Sequence, residues 1–343
     1  MWRLVPIAFA LSLALTYLLT PLVRKLAIRF GAVAIPRDRD VHPEPVPRWG
    51  GVSMVAAFLL TLGALYIYTL VRNDHMHFAA PWSAHQIHQF SGIFLATALI
   101  AIVGALDDKF ELSAIWQSLA LVASGLILYL SGVSIEGITN PFYNAPLNSH
   151  GYDPRSWLAF PAWFSALATV IWVFGVAKTV DFIDGLDGLA SGVCAICATT
   201  LALMSAQTGQ YEVTIIAAAV VGVCVGFLRY NYNPATIIMG TVGAQFLGFV
   251  LAAIAIVGTL KIPATVSVLL PLLVLGVPIF DGIRVVTQRA IKRTPAYLPD
   301  KTSHIHHILL NKGLSVKRAV WVIYGLTAGL CLVALVIFHQ VRH

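Results

Sequence analysis

"TVDFIDGLDGLA", Thr179–Ala190, places three carboxylates, Asp181, Asp184 and Asp187, within seven positions between two long apolar runs. An ionised carboxylate at the centre of a bilayer costs on the order of 3 kcal/mol, so three together do not belong at that depth. If the flanking runs cross a membrane, the acidic stretch has to sit at one of its mouths.

Composition says that they cross. The 343 residues are 58% hydrophobic and 11% charged, with a mean hydropathy of +0.82, too apolar for a water-covered surface. Apolar runs of bilayer length, about 17 to 25 residues, recur along the whole chain. They fall at Leu4–Val23, Gly50–Val71, Phe90–Leu106, Ile115–Ser131, Leu158–Ala177, Gly188–Gln207, Val213–Leu228, Gly243–Leu260, Ala264–Phe280 and Ala319–Phe338. The predicted fold class is therefore all-α: a polytopic integral membrane protein of about ten transmembrane helices in one domain over 1–343. The first run has no small-x-small cleavage site before the basic stretch at Arg24 and reads as a retained helix.

Lys and Arg set the orientation, because translocation disfavours them. Arg24, Lys25, Arg29, Arg37, Arg39 and Arg48 follow the first run, and eight more from Arg284 to Arg318 precede the last. With Lys109, Lys178 and Arg229, about 17 of the 22 basic residues share one side, which is assigned to the cytoplasm, with both termini outside. The net charge of +7 flanks membrane spans and no nucleic-acid motif accompanies it. That excludes nucleic acid as a partner and points to the bilayer's anionic headgroups and to anionic substrates. All four cysteines lie within apolar runs, so no external disulfide framework is expected, and "CAIC", Cys194–Cys197, reads as core packing.

Three further polar clusters fall on the same side as the opening stretch. "ALDDKFELSA" carries the adjacent pair Asp107 and Asp108, which repel unless a cation or proton joins them; a solvated helix end paired with Lys109 is the other reading. "DKTSHIHHILLNKG" carries His304, His306 and His307, able to hydrogen-bond phosphate or ligate a metal, or to be an ordinary polar loop. "VHPEPVPRWGG", Val41–Gly51, fixes an extended backbone and offers Arg48 as a fork for phosphate, or is a rigid membrane-entry turn. Together the clusters describe one site. Carboxylate pairs beside Arg, Lys and His suit Mg²⁺-assisted chemistry on phosphates, with Gly185 and Gly188 allowing close approach to a diphosphate. The donor would be water-soluble and the acceptor lipid-soluble.

In this order "VHPEPVPRWGG", "ALDDKFELS", "DFIDGLDGLASG", "FLRYNYNPATIIMGTVGAQFLGF", "VPIFDGIRV" and "DKTSHIHHILLNKGLS" span nearly the whole chain. The set resembles the polyprenyl-phosphate N-acetylhexosamine-1-phosphate transferases, the MraY- and WecA-like integral-membrane family also called glycosyltransferase family 4. The resemblance implies a ten-helix fold in the bacterial plasma membrane, with the active site on the cytoplasmic face. It implies that a polyprenyl phosphate attacks the β-phosphate of a UDP-sugar and releases UMP, with Mg²⁺, or Mn²⁺ in its place, as cofactor. Such a step initiates cell-wall or surface glycan synthesis, and a homodimer is compatible with it. By the same resemblance Asp107, Asp108, Asp184 and Asp187 are catalytic and His304, His306 and His307 bind substrate; Arg48, as a fork for phosphate, and Lys178, as a cation beside the second acidic motif, are the further substrate-binding candidates read from residue chemistry.

The chain departs from the pattern at two places. Lys178 and Asp181 stand where the family has two asparagines, and "MGTVGA" stands where it reads M-G-D-x-G-S, so Thr241 replaces an aspartate that in the family ligates magnesium. One carboxylate is lost at 241 and one gained at 181. The expected metal set is therefore Asp108 and Asp181 with Thr241 as a weak, neutral ligand, provided that 181 and 241 face one cation. An active transferase competes with a catalytically silent or different-donor relative, and, from another class, with a transporter. The last is disfavoured because the acidic residues gather at one mouth and no inverted repeat is visible. On the opposite side, Arg72–Gln89 with His75, His77, His85 and His88, and Gly132–Ser156, read as polar loops.

Overall fold

The structure, a computed structural model, describes residues 2–34, 44–72, 83–140, 157–259, 269–292 and 304–342. Eight of its helices are long and apolar enough to cross a membrane. They are α1 (Leu4–Phe30), α2 (Gly50–Arg72), α3 (Ala84–Phe110), α5 (Ala162–Ile183), α6 (Leu189–Gln207), α7 (Tyr211–Asn231), α8 (Gly240–Thr259) and α12 (Val316–Arg342). A shorter apolar helix, α4 (Ala114–Leu130), runs beside them. The protein is an all-α, multi-pass membrane protein, its only described strands being β1 (Val33–Ala34) with β2 (Val46–Pro47) and β3 (Gly137–Thr139) with β4 (Trp157–Ala159), each pair antiparallel.

In lipid, helices gain little from hiding apolar surface and instead associate through small residues that let backbones approach. α1 buries Ala8, Ser12, Thr16, Thr20 and Ala27, a stripe at nearly four-residue spacing. Opposite it, α7 presents Gly222 and Gly226: a Cβ on Gly222 would lie 2.1 Å from Ser12 Oγ, and one on Gly226 2.7 Å from the Leu13 carbonyl oxygen. The stripe's hydroxyls are satisfied within the helix, Thr16 donating to Ser12 O at 2.8 Å, while Thr20 also meets Ser53 of α2 at 3.0 Å. α8 is the most enclosed span, and α1 and α12 turn such side chains as Leu18, Leu22, Leu332 and Val336 outward, as lipid-facing helices do.

The run expected as one span over Ala264–Phe280 is interrupted. α9 (Leu269–Val274) stops and α10 (Gly276–Lys292) restarts after Leu275, and residues 260–268 lie outside the described set. Pro278 is the reason: it has no N–H to donate to the carbonyl of Val274 four residues earlier. Cys197 takes that role, its thiol donating to Val274 O at 2.9 Å, with Cys331 on the same oxygen at 3.8 Å. The cysteines expected as core packing are all buried, and Cys197 also closes this break.

Two other boundaries shift. α5 begins at Ala162 rather than Leu158, because Trp157–Ala159 pairs with Gly137–Thr139 as a short hairpin in the region expected to be a plain loop. α3 begins at Ala84 rather than Phe90, started by a capping box between Ser83 and Gln86, so His85 and His88 lie on a helix; His75 and His77 fall outside the described residues. The C-terminal ends of α1, α3, α5 and α7 and the N-terminal ends of α2, α4, α6 and α8 meet at one end of the bundle, where α11 (Ile305–Asn311) also lies.

Candidate active site

The segment before α2 is threaded by main-chain bonds between the end of α1 and the start of α8. Arg48 N donates to Ala32 O at 2.9 Å, Ile238 N to Pro47 O at 2.9 Å, Gly50 N to Ile238 O at 3.0 Å and Gly51 N to Met239 O at 2.8 Å. Gly51 and Gly243 touch backbone to backbone: a Cβ on Gly51 would sit 2.1 Å from Gly243 N. Gly240 takes a positive φ of 68°, and a Cβ there would lie 2.3 Å from Asp108 Oδ2. These glycines bring the first turn of α8 against the last turn of α3.

That contact holds the adjacent carboxylates. Asp108 accepts Thr241 N at 2.8 Å and Val242 N at 3.4 Å, while Asp107 Oδ2 accepts the Thr241 hydroxyl at 2.7 Å. The amides at a helix start have no intrahelical partner and carry the positive end of its dipole, so they suit negative charge. Asp107 and Asp108 are 7% and 5% exposed, not the solvated helix end that one reading of the sequence allowed. Lys109 instead lies over the Phe110 and Phe30 rings, 4.8 and 5.8 Å from their centroids.

The second acidic motif forms the turn between α5 and α6. Gly188 adopts φ 77°, its N–H donates to Asn231 Oδ1 at 3.0 Å, and its carbonyl accepts the Tyr324 hydroxyl at 2.5 Å. Asp187 Oδ2 accepts Asn233 Nδ2 at 2.9 Å and Ala235 N at 3.0 Å, tying the turn to the chain that leaves α7. Asp184 is the turn's less engaged carboxylate. Burial, and then the charges of Asp181, Asp108 and Asp187, push its carboxyl well above the usual range. The two acidic motifs, far apart in sequence, therefore feel each other's charge.

Lys178 and Asp181 stand one step away. Lys178 Nζ donates to Asp181 Oδ2 at 3.0 Å and to Gln117 Oε1 at 2.7 Å, and Gln245 Nε2 reaches the same two oxygens at 3.4 and 3.3 Å. On α8, Gln245 is one turn beyond Thr241 on the same face. Asp181 thus meets Gln245 and its own lysine, whereas Thr241 meets Asp107.

The histidines pack against the acidic turn. A Cβ on Gly185 would lie 2.3 Å from His306 Nε2, so only glycine leaves room for that ring. The His306 ring stacks on His304 at 5.2 Å and tilts against His307 at 4.3 Å between centroids. Burial, and then His307 and His304, push His306 down to about 3, so it is neutral at physiological pH, and its Nδ1 is buried without a partner among the described residues. Asp281 of α10 holds His304 Nδ1 at 2.8 Å and Ile305 N at 2.7 Å. Among the described residues Arg48 makes a loose 3.5 Å contact with Glu111, and its charge reaches Asp108. Asp300 and Lys301, which open the stretch "DKTSHIHHILLNKG" that carries these histidines, lie outside the described residues.

Among the described residues no three His, Cys, Asp or Glu side chains form a ready-made metal cage. Magnesium does not require one: it is commonly held by one or two carboxylates, its other positions filled by water and substrate phosphates. The donor chemistry fits, since Asp107 repels the hard carboxylate of Asp108 and Asp108 repels that of Asp184, a build-up of charge that a hard cation would relieve.

Sequence reasoning missed Gln117 and Tyr324, polar residues inside apolar helices, a misplacement that was the available signal; Asn231 and Gln245 fell within the quoted "FLRYNYNPATIIMGTVGAQFLGF" without an assigned task. Asp281 fell within the quoted stretch "VPIFDGIRV" but carried no assigned task.

The profile of the family described as "Glycosyl transferase family 4" matches residues 90–259. The chain is similar to the "Probable undecaprenyl-phosphate N-acetylglucosaminyl 1-phosphate transferase" of Bacillus subtilis (strain 168), 32% identical over 93% of this chain and 80% of the relative. It is 31% identical to the "Decaprenyl-phosphate N-acetylglucosaminephosphotransferase" of Mycobacterium tuberculosis (strain ATCC 25618 / H37Rv), over 90% of this chain and 76% of the relative. The "Undecaprenyl-phosphate alpha-N-acetylglucosaminyl 1-phosphate transferase" of Escherichia coli (strain K12) is 23% identical over 90% and 76% of the two chains.

Proposed function

The chain belongs to glycosyl transferase family 4, and from that premise we infer that it is a membrane phosphotransferase carrying N-acetylhexosamine-1-phosphate onto polyprenyl phosphate. The relatives named for this transfer favour an active transferase over a silent relative. The donor is a UDP-sugar, the membrane is the bacterial plasma membrane, and the polar end of the bundle faces the cytoplasm, where the basic residues gather. One observation carries the reading: Asp108, held with Asp107 on α8, stands within electrostatic range of Asp184, and His306, packed with His304 and His307, lies against Gly185 of the same turn.

In the reaction an oxygen of polyprenyl phosphate forms a bond to the β-phosphorus of the UDP-sugar, the bridging P–O bond to the α-phosphate breaks, and UMP departs with that electron pair. Asp107, Asp108 and Asp184 would hold Mg²⁺, which when bound supplies positive charge beside the transferring phosphate. The protein's own part is orientation. The α8 amides fix Asp108, the Thr241 hydroxyl aims Asp107, and Asn233 with Ala235 fixes Asp187. Lys178 and Arg48 add cations at the same end, and neutral His306 supports the other two rings without adding charge. Asp181, held by Lys178 and one α8 turn from Thr241, stands beside the cation-binding carboxylates and supplies charge to Asp184 rather than replacing position 241.

The test is UMP release by purified protein in nanodiscs supplied with undecaprenyl phosphate, Mg²⁺ and UDP-GlcNAc or UDP-GalNAc. Turnover that D108N abolishes supports the reading, and no turnover with either donor refutes it.

A further inference from the structure

α11 starts without help from its own cap. His304, its N-cap residue, makes no side-chain hydrogen bond to the helix. The first amide, Ile305 N, is taken instead by Asp281 Oδ1 at 2.7 Å, from another helix. The second oxygen of the same carboxylate lies 2.8 Å from His304 Nδ1. With Asp281 accepting through both oxygens, Nδ1 is the donor in this contact and Nε2 is the ring's remaining polar atom.

Asp281 is itself rigidly placed. It is 4% exposed on the buried side of α10, and its neighbour Gly282 packs so closely on α5 that a Cβ would lie 2.4 Å from Thr179 Cγ2. Thr179 opens the stretch that carries Asp181 and Asp184. The His304 ring is flanked by Phe182 at 6.1 Å and His306 at 5.2 Å between centroids, both against the acidic turn. One carboxylate therefore fixes the start of α11, the tautomer of its first histidine and the ring's direction, relative to α5.

We propose that Asp281 is a positioning residue that locks His304 as the Nδ1–H tautomer, so that Nε2 is presented in one direction to the diphosphate of the donor. The proposal rests on the transferase reading for the identity of that diphosphate. A buried carboxylate serving two donors on α11 has no evident use as a surface charge, and a histidine held through Nδ1 in this way is a common means of aiming Nε2 at a ligand.

The experiment combines kinetics with histidine-selective ¹⁵N NMR on the full-length protein in nanodiscs, for wild type, D281N, D281E, H304Q and D281N/H304Q. D281N lowers kcat/KM for UDP-GlcNAc by roughly a hundredfold, the scale of a misplaced group, and leaves KM for undecaprenyl phosphate unchanged. In the H304Q background D281N adds little, because both changes remove the same interaction. D281E, which keeps the carboxylate, recovers part of the activity. The spectrum assigns His304 to the Nδ1–H tautomer in wild type and D281E, and to a mixture in D281N. The proposal is overturned if His304 keeps one tautomer in D281N, if D281N retains wild-type kcat/KM, or if its loss adds in full to that of H304Q. The tautomer is read without turnover, so an inactive wild type would refute the transferase reading while the spectrum still decides the role of Asp281.

Discussion

Replacing Thr241 by Val, Ser or Asp separates what the hydroxyl does from what a carboxylate would do there. Val has nearly the shape of Thr, so T241V keeps the backbone N–H that Asp108 accepts and deletes only the 2.7 Å bond from the hydroxyl to Asp107 Oδ2. A hydrogen bond to a charged group contributes about 1.5 to 3 kcal/mol. If Asp107 must be aimed for turnover, that loss corresponds to roughly 10- to 150-fold in kcat/KM. T241S retains the hydroxyl and should stay within about fivefold of wild type, since less than about 1 kcal/mol of packing is changed. T241D sets a third carboxylate against Asp107 and Asp108, a repulsion of about 4 kcal/mol at about 4 Å in a medium of effective dielectric about 20. Its melting temperature should therefore fall without divalent cation and rise with Mg²⁺ more steeply than that of wild type. The assays are UMP release in nanodiscs and thermal unfolding with and without Mg²⁺. Equal activity in T241V and T241S would refute the idea that the hydroxyl aims Asp107.

G51A forces α2 and α8 apart, because the new Cβ meets the backbone of Gly243; a stability loss of about 1 to 3 kcal/mol and a fall in activity are expected, while G63A, with open space at its Cβ inside α2, keeps activity and does not destabilise. Double-mutant unfolding should show that K178N and D181N together destabilise less than the worse single change, with a coupling of about 1 kcal/mol or more, because each single change strands a partner of a partly buried pair. Acid should loosen α11. His306 titrates near 3 in the folded protein against 6.5 unfolded, so its contribution is intact above 6.5 and is lost as pH falls from there towards 3. At about pH 5 the loss is roughly 2 kcal/mol, seen as faster amide exchange over 305–311, and H306F should remove that pH dependence.

Much of the architecture could be read from the chain because a bilayer imposes a length and a polarity on each helix that few other environments require. The same rule placed the acidic stretches at a mouth. The broken ninth run was harder to read, because its cause is a missing N–H at Pro278 whose consequence appears only when Cys197 is seen to supply the bond. Gly51 and Gly243 were equally silent, since the need for glycine arises from the other helix. At the site, residue types announced themselves, whereas pairings did not. Asp181 and Thr241 looked like two halves of one exchange by charge alone, but they meet α8 one turn apart on the same face, Asp181 at Gln245 and Thr241 where it reaches Asp107. Asp281 hid because a single aspartate in an apolar run says nothing about the histidine 23 positions later that it will hold.

The grip on Asp108 has a corollary for substitution. Its two donors are main-chain amides of α8, which every residue except proline provides, so the hold does not depend on what side chain position 241 carries. Aspartate and threonine can therefore stand at 241 with the same main-chain hold on Asp108, and what separates them is the charge that the site must balance. The peptide backbone thus made position 241 adjustable within an otherwise fixed scaffold.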